Sequence, residues 1–456
     1  MKAWFLILFF AGVVAGHASE METNADFSGG DTTAFDSTRN AFSLAARNLL
    51  PEHRTAYTMG SFFFDESWLA ASVTPSDRDG LGPMFVARSC IACHIRNGRG
   101  RAPDSFLPTD SMVVRISIPG ACEHGGPKPE PTYGLQLQTH ALPGCKPEAQ
   151  VLGSYRIIRG SYGDGEAYYL RQPTFRLSNL GYGPFQTNAT ISPLVAPAII
   201  GLGLLEAVPE KTLRERELAN RQRTDGISGH VNMVWDATAG KIVVGRFGWK
   251  AEQPSVSQQV ASAFNGDMGL TTTICPQENN TEAEDVLTNA LSGGSPEVSD
   301  EVFDATVLFS RLIAVPSRRD STNETVLRGE QLFHELDCAV CHTPTMQTGD
   351  APGFPELSRQ TIRPYTDLLV HDMGPDLSDH RRVYQADGSE WRTPPLWGGG
   401  LIETVNTHNN LLHDGRARGF AEAILWHGGE AEHSKQQFRL LPKPDRDALV
   451  QFLQSL

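Results

Sequence analysis

The sequence predicts a mainly α-helical chain with short β elements, built as two small helical domains that carry insertions. Three observations predict it. One pentapeptide pattern occurs twice, as Cys90-Ile91-Ala92-Cys93-His94 and as Cys338-Ala339-Val340-Cys341-His342. A glycine and an aromatic residue about one helical turn apart precede each copy, Gly82 and Phe85 before the first and Gly329 and Phe333 before the second. Finally, Asp445–Leu456 places Leu449, Phe452, Leu453 and Leu456 on one face, the pattern of an amphipathic closing helix.

Each pentapeptide has the spacing of a c-type haem attachment signature. Two thiols one turn apart add across the two vinyl groups, and the histidine that follows is placed under the iron as an axial ligand. Cys90, Cys93, Cys338 and Cys341 are therefore the expected attachment points of two covalently bound haems c, with His94 and His342 as iron ligands. Zinc would want a second Cys or His pair near each motif, and none follows. A redox-active dithiol leaves the histidine in both copies unexplained. With haem in place, the glycine–aromatic pairs and the closing helix describe cytochrome c-type domains, in which glycine lets the first helix approach the last. The expected division is a signal peptide at 1–18, an N-terminal haem c domain with a large insertion at 19–319, and a C-terminal haem c domain at 320–456.

The chain has 456 residues, 40% of them hydrophobic, with 43 glycines and 29 prolines, which suits a loop-rich globular protein. Its start has Lys2, an apolar run from Ala3 to Gly16 and small residues to Ala18, the form of a cleavable secretory signal. That run is shorter than the roughly 20 apolar residues a membrane span requires. Elsewhere Ile191–Val208 is interrupted by two prolines and Glu206. The expectation is a periplasmic or otherwise exported protein that is not integral to the membrane, on the side where c-type haem is attached. A net charge of −14 argues against nucleic-acid binding and is compatible with steering toward a small basic redox protein. Cys122 and Cys145 flank a Pro/Gly-rich excursion and are an expected disulfide in an oxidising compartment, with Cys275 as an alternative partner. In the middle of the chain, Val113–Ile118 and Lys241–Phe247 read as strands, Leu213–Gln222 and Asp300–Leu312 as helices, and Asn279–Ser299 as a loop.

Several further stretches carry a resemblance: Gly80–His94, Ile191–Glu210, Gly245–Leu270, Tyr365–Asp376, Arg392–Trp397 and His413–Glu430. Over most of residues 40–456 the chain resembles the bacterial di-haem cytochrome c peroxidase superfamily, and within it the "di-haem oxidoreductase, putative peroxidase" family. The resemblance implies two facing haem domains, often with calcium between them. One haem takes electrons from a donor, and the other has an openable distal site for peroxide. It also implies that the residue fourteen after His413 is the distal ligand of the second haem. Relatives have Met or Tyr there, and this chain has His427. A second imidazole lowers the haem potential relative to thioether, because it stabilises ferric iron. Without the resemblance, His427 reads first as a surface histidine, since most lone histidines are not ligands.

For the first haem's distal side, the Gly/Pro-flanked loop His371-Asp372-Met373-Gly374 offers His371 as a cap or as an acid/base beside an open iron, with Met373 as a weaker candidate ligand. The plainer reading of His371 is a hydrogen bond in the interdomain interface. Arg392, ahead of two prolines, is placed to stabilise peroxide or to hold a propionate, and the propionate suits Arg's bidentate geometry better. His408 and Asn410 fall where relatives donate backbone carbonyls to calcium. The expected function is an exported di-haem c-type oxidoreductase, peroxidase-like, passing electrons between its haems. The competing readings are a non-catalytic electron carrier or haem module serving a transport system, and an oxygenase acting on an apolar substrate.

Overall fold

The structure is a computed structural model that describes residues 25–71, 77–103, 111–287 and 292–456. The expected signal peptide lies outside the described residues. The α-helices, in chain order, are α1 (Arg54–Asp65), α2 (Cys90–Cys93), α3 (Leu202–Glu206), α4 (Glu210–Arg221), α5 (Val256–Met268), α6 (Asp300–Leu312), α7 (Glu324–Glu335), α8 (Cys338–Cys341), α9 (Ile402–Asn406), α10 (Phe420–Trp426), α11 (Glu432–Leu440) and α12 (Lys443–Ser455). Among the described residues, no helix is long and apolar enough to cross a membrane.

Two crossed helix pairs organise these elements. In the first, α1 meets α6 at Gly60, where an added Cβ would stand 2.0 Å from the Ala305 carbonyl oxygen and 2.7 Å from the Phe309 Cβ. The second repeats the contact. On α7 a Cβ at Gly329 would stand 2.0 Å from the Ala448 carbonyl oxygen and 2.7 Å from the Phe452 Cβ of α12. Only glycine permits that approach. One turn on, Phe64 packs on Phe309 at 5.3 Å between ring centroids, and Phe333 packs on Phe452 at 5.2 Å. The sequence pointed to Gly82 and Phe85 for the first pair. The structure instead uses Gly60 and Phe64, while Met84–Phe85 forms a short strand paired with His140–Ala141. Pro83 beside two nearby glycines explains why no helix forms there.

The expectation of a mainly helical chain of two cytochrome c-type domains is overturned. The chain is 32% helical and 20% strand, with many small sheets. Among the described residues the helices are short, none longer than 13 residues, as the frequent Gly and Pro dictate. Between α2 and α3 the chain turns to β structure. Met112–Ala121 pairs antiparallel with Thr190–Val195. Gln150–Ser161 and Ala167–Ser178 form a hairpin in unbroken register from Gln150↔Ser178 to Ser161↔Ala167. The hairpin's tip reaches the C-terminal part of the chain. There Arg446 covers the Tyr162 ring at 3.9 Å and pairs with Asp164 at 2.9 Å and Glu166 at 2.6 Å.

Candidate functional site

Both pentapeptides form a single helical turn, α2 and α8, and each turn opens onto a cavity. The first cavity, about 360 Å³, is lined by Cys90, Cys93 and His94. The second, about 220 Å³, is lined by Cys338, Cys341 and His342. The two histidines are held alike. His94 Nδ1 lies 2.8 Å from the Pro197 carbonyl and His342 Nδ1 lies 3.1 Å from the Tyr365 carbonyl. A carbonyl only accepts, so the ring proton sits on Nδ1 and the lone pair on Nε2. Such a bond fixes the tautomer and orientation of a metal-binding imidazole. Burial pulls both rings down to about 4, so they are neutral at pH 7. It also pushes the Cys90 and Cys338 thiols up to about 12, unlike the low values of a redox-active dithiol. Two thiols and an imidazole facing one cavity fit a covalently held haem at each turn.

The second cavity has a further imidazole. His427 follows α10, lines this cavity and donates from Nδ1 to the Ala423 carbonyl at 2.7 Å. Burial lowers its pKa as well, and a charge on His427 would bear on His342. His342 and His427 are thus two neutral imidazoles in one cavity, each with Nδ1 committed to a carbonyl.

His371 and Met373 also line this second cavity, not the first one where the sequence had placed them. His371 is 2% exposed, with Nε2 at 2.9 Å from Asp367, Nδ1 at 2.6 Å from Glu430 and the Cys341 sulfur at 3.5 Å. Burial opposes charge on the ring, but Asp367 and Cys341 beside it prevail and hold its pKa well above the ordinary value. Both ring nitrogens therefore carry protons donated to carboxylates, and neither is free to bind iron. Gly229 makes the room, since a Cβ there would stand 2.0 Å from the imidazole Cε1.

The first cavity is different in kind. Among the described residues that line it, His94 is the sole histidine, and Arg99, Arg115, Arg381 and Arg392 bring positive charge. Burial lowers Arg99, Arg381 and Arg392 to about 10. Glu252 and Asp267 are carboxylates in the same lining, and burial raises Asp267 above the ordinary range. The sequence reading missed Arg99, Arg115, Arg381 and Glu252. Arg99 was findable only by its place five residues after His94.

A thin wall separates the cavities. Arg99, Trp249, Arg392, Pro394 and Pro395 line both. The Trp249 indole N–H donates to the Val195 carbonyl at 2.9 Å, and the Arg99 guanidinium sits 5.0 Å above its ring. Arg392 donates from Nε to the Gly248 carbonyl at 2.9 Å. On the C-terminal side His413 stacks on Trp391 at 3.7 Å and meets Trp249 edge-on at 6.5 Å.

Two expectations do not fit. At the place expected for calcium, the Asn410 carbonyl accepts from Arg99 Nε at 2.7 Å, the Leu412 carbonyl accepts from Arg99 Nη2, and His408 Nε2 is 3.2 Å from the Arg99 carbonyl. A guanidinium already supplies the cation there, so these residues do not suit calcium. Nor is there a Cys122–Cys145 disulfide, since neither sulfur is bonded to another cysteine. Cys122 is exposed at the end of its strand, where a Cβ on Gly126 would touch both its sulfur and Tyr384, whereas Cys145 closes a turn on Leu142.

Comparison with known proteins adds the following. None of the curated proteins matches the chain. A similar solved structure is Kuenenia stuttgartiensis hydrazine synthase pressurized with 20 bar xenon, at 13% identity over 100% of both chains and a TM-score of 0.36, too distant a likeness to build on. The family described as "Di-haem oxidoreductase, putative peroxidase" matches residues 22–456. That match spans nearly the whole chain, so the protein, with a cavity at each Cys-x-x-Cys-His motif, belongs to the di-haem oxidoreductase family of that description.

Proposed function

We propose that this is an exported peroxidase-like oxidoreductase with two haems c, in which the N-terminal cavity is the reaction site and the C-terminal one relays electrons. The observation that carries the reading is the difference between the cavities. The second pairs His342 with His427, whereas the first, larger one has His94 alone among its described lining residues. When bound, haem supplies a redox-active iron that can give electrons to peroxide if its sixth position is accessible.

The chain's own residues do the rest. Cys90, Cys93, Cys338 and Cys341 would hold the two groups through thioethers, and His94, His342 and His427 would bind the iron. Arg392 and Arg99, buried between the cavities with part of each guanidinium bonded to backbone carbonyls, would turn their remaining N–H groups toward propionate carboxylates. Reducing one peroxide to two waters takes two electrons and two protons. Asp267, whose pKa burial raises, is the carboxyl that can hold a proton at the wall of the first cavity. His371, an imidazolium clamped by Asp367 and Glu430, sets a fixed positive charge beside the second haem. Met373 lines the same cavity as His427, and His427 would be the iron ligand in preference to it. Residues 19–319 carry the first haem and 320–456 the second. The acidic balance suits a small basic redox protein as electron donor.

The test is the spectrum of each haem with a peroxide assay on the reduced protein. One haem is expected to be high-spin or ligand-exchangeable and one low-spin, with rapid reoxidation by peroxide. His427→Ala is expected to convert the low-spin haem to high-spin or exchangeable. Two closed low-spin haems that ignore peroxide would mean a simple electron carrier.

A further inference from the structure

The first cavity has a second pair of guanidiniums that take no part in the wall. Arg99 and Arg392 line both cavities, whereas Arg115 and Arg381 line the first alone. Arg115 stands on the strand Met112–Ala121, directly opposite Ser192 of Thr190–Val195, so both side chains leave the same face of the sheet. The Ser192 hydroxyl donates to Asp379 at 2.6 Å, and the Asp379 carboxylate accepts from the backbone N–H of Arg381 at 2.9 Å. That chain of contacts brings Arg381 to the face that carries Arg115. Arg381 is 6% exposed, and its Nε is buried with no acceptor. On its other side Arg115 reaches α5, where a Cβ on Gly266 would stand 3.8 Å from Nη1.

The carboxylates nearby are engaged elsewhere. Asp379 pairs with Lys250 at 3.0 Å, Glu252 Oε2 accepts from the Lys250 backbone N–H at 2.8 Å, and Asp267 accepts from the Gln136 amide at 2.8 Å. Among the described residues neither Arg115 nor Arg381 has an ion-pair partner. Burial, and after it the charge of Arg115, lowers Arg381 to about 10, so it stays charged at pH 7. Neighbouring like charges in a buried place are costly unless an anion joins them, and a guanidinium fork matches the two oxygens of a carboxylate. The lining beside the pair is apolar, with Val113, Pro127, Leu135, Val383 and Tyr384. Haem brings propionates of its own, and Arg99 and Arg392 in the wall are the guanidiniums for those. Arg115 and Arg381 border a different group. Asp267, the carboxyl that can hold a proton, follows the Gly266 that Arg115 reaches.

We propose that Arg115 and Arg381 form an anion-binding subsite of the first cavity, which takes the carboxylate of a small organic acid and names the substrate class of that cavity. The apolar body of the acid would lie against Val113, Leu135 and Tyr384. An uncharged molecule of the same shape leaves both guanidiniums unpaired, so the subsite rejects it. Calling the acid a substrate rests on the first cavity being the reaction site; its binding does not.

The test is calorimetric titration of the full haem-loaded ferric protein, with benzoate as the probe and benzyl alcohol as its uncharged counterpart. Binding is measured without peroxide, so failure of the subsite and failure of the peroxidase-like reading are separate results. Benzoate should bind saturably, and benzyl alcohol about tenfold or more weakly, the worth of a hydrogen bond to a charged group. Arg381→Gln and Arg115→Gln should each weaken benzoate by about tenfold or more and leave benzyl alcohol unchanged. Because an uncharged side chain there can upset folding, Arg381→Lys is the second variant; it keeps the charge, loses the fork and should show an intermediate loss. Absence of saturable benzoate binding, or equal affinity for the two probes, would overturn the proposal. So would inorganic phosphate binding as tightly as benzoate, which would mean a general anion site. If benzoate affinity holds in the variants while the Soret band and midpoint potential of the exchangeable haem shift, Arg381 holds a propionate and the proposal falls.

Discussion

His371 and Glu430, 59 residues apart in sequence, meet at 2.6 Å beside the second haem motif. Asp367 closes the other side of the ring, so one imidazolium separates two carboxylates. Removing the ring leaves the buried Asp367 and the half-buried Glu430 without their shared counter-charge, although both keep backbone N–H donors, and His371→Ala is expected to cost about 3 kcal/mol. The pH dependence follows from the shifts. His371 is raised, so its contribution is whole below the ordinary value of 6.5 and fades as pH climbs through the higher folded value. Glu430 is depressed, so its contribution is whole above 4.5 and fades as pH falls through its lower folded value. Thermal melts should show the largest gap between wild type and variant from about pH 4.5 to 6.5. A gap that widened steadily above pH 8 would contradict the assignment.

The glycines at the two helix crossings make a matched pair of probes. Gly60→Ala and Gly329→Ala each drive a methyl to 2.0 Å from a carbonyl oxygen. Overpacking of this kind costs about 1–3 kcal/mol, and the rigid helix backbone on the far side should put both at the upper end. Urea unfolding of the two variants should give similar losses. If alanine were tolerated at either position, the close crossing there would be refuted.

Covalent attachment can be read by extraction. Acid–acetone should remove no haem from the wild type. Cys338→Ser with Cys341→Ser should release the C-terminal equivalent alone, and Cys90→Ser with Cys93→Ser the N-terminal one, since each motif's thioethers act independently. Release of both haems from the wild type would show that the cysteines are not bonded to them.

The parts of this protein that were legible in the sequence are those whose partners lie close by in the chain. Each motif's two thiols and histidine fall within five residues, and α12 declares itself by an apolar stripe. The first helix of the N-terminal pair was misread because a glycine about one turn before an aromatic occurs twice upstream of Cys90, at Gly60–Phe64 and at Gly82–Phe85, and the contact with α6 selects Gly60. The β insertion was under-read for a physical reason. Its long hairpin carries Arg156, Arg159 and Gln172 on paired strands, so the alternation that marks a half-buried strand is weak. His371 was assigned to the wrong cavity because Glu430, its partner, lies on the far side of α10.

Trp249 offers the sharpest test of how the two sites communicate. It lines both cavities, with Arg99 at 5.0 Å from its ring and its indole N–H bonded to the Val195 carbonyl. Truncation to alanine would confuse the question, since losing a buried Trp costs about 3–5 kcal/mol in packing alone. Trp249→Phe keeps an aromatic ring in the wall while removing the indole. Both haem spectra should stay as in the wild type, because neither His94, His342 nor His427 depends on the indole. In a stopped-flow experiment on reduced protein mixed with peroxide, oxidation of the low-spin haem should lag behind that of the other. If the low-spin haem is oxidised at the wild-type rate, electrons cross the wall by another route, and Trp249 is there for packing and for its bond to Val195.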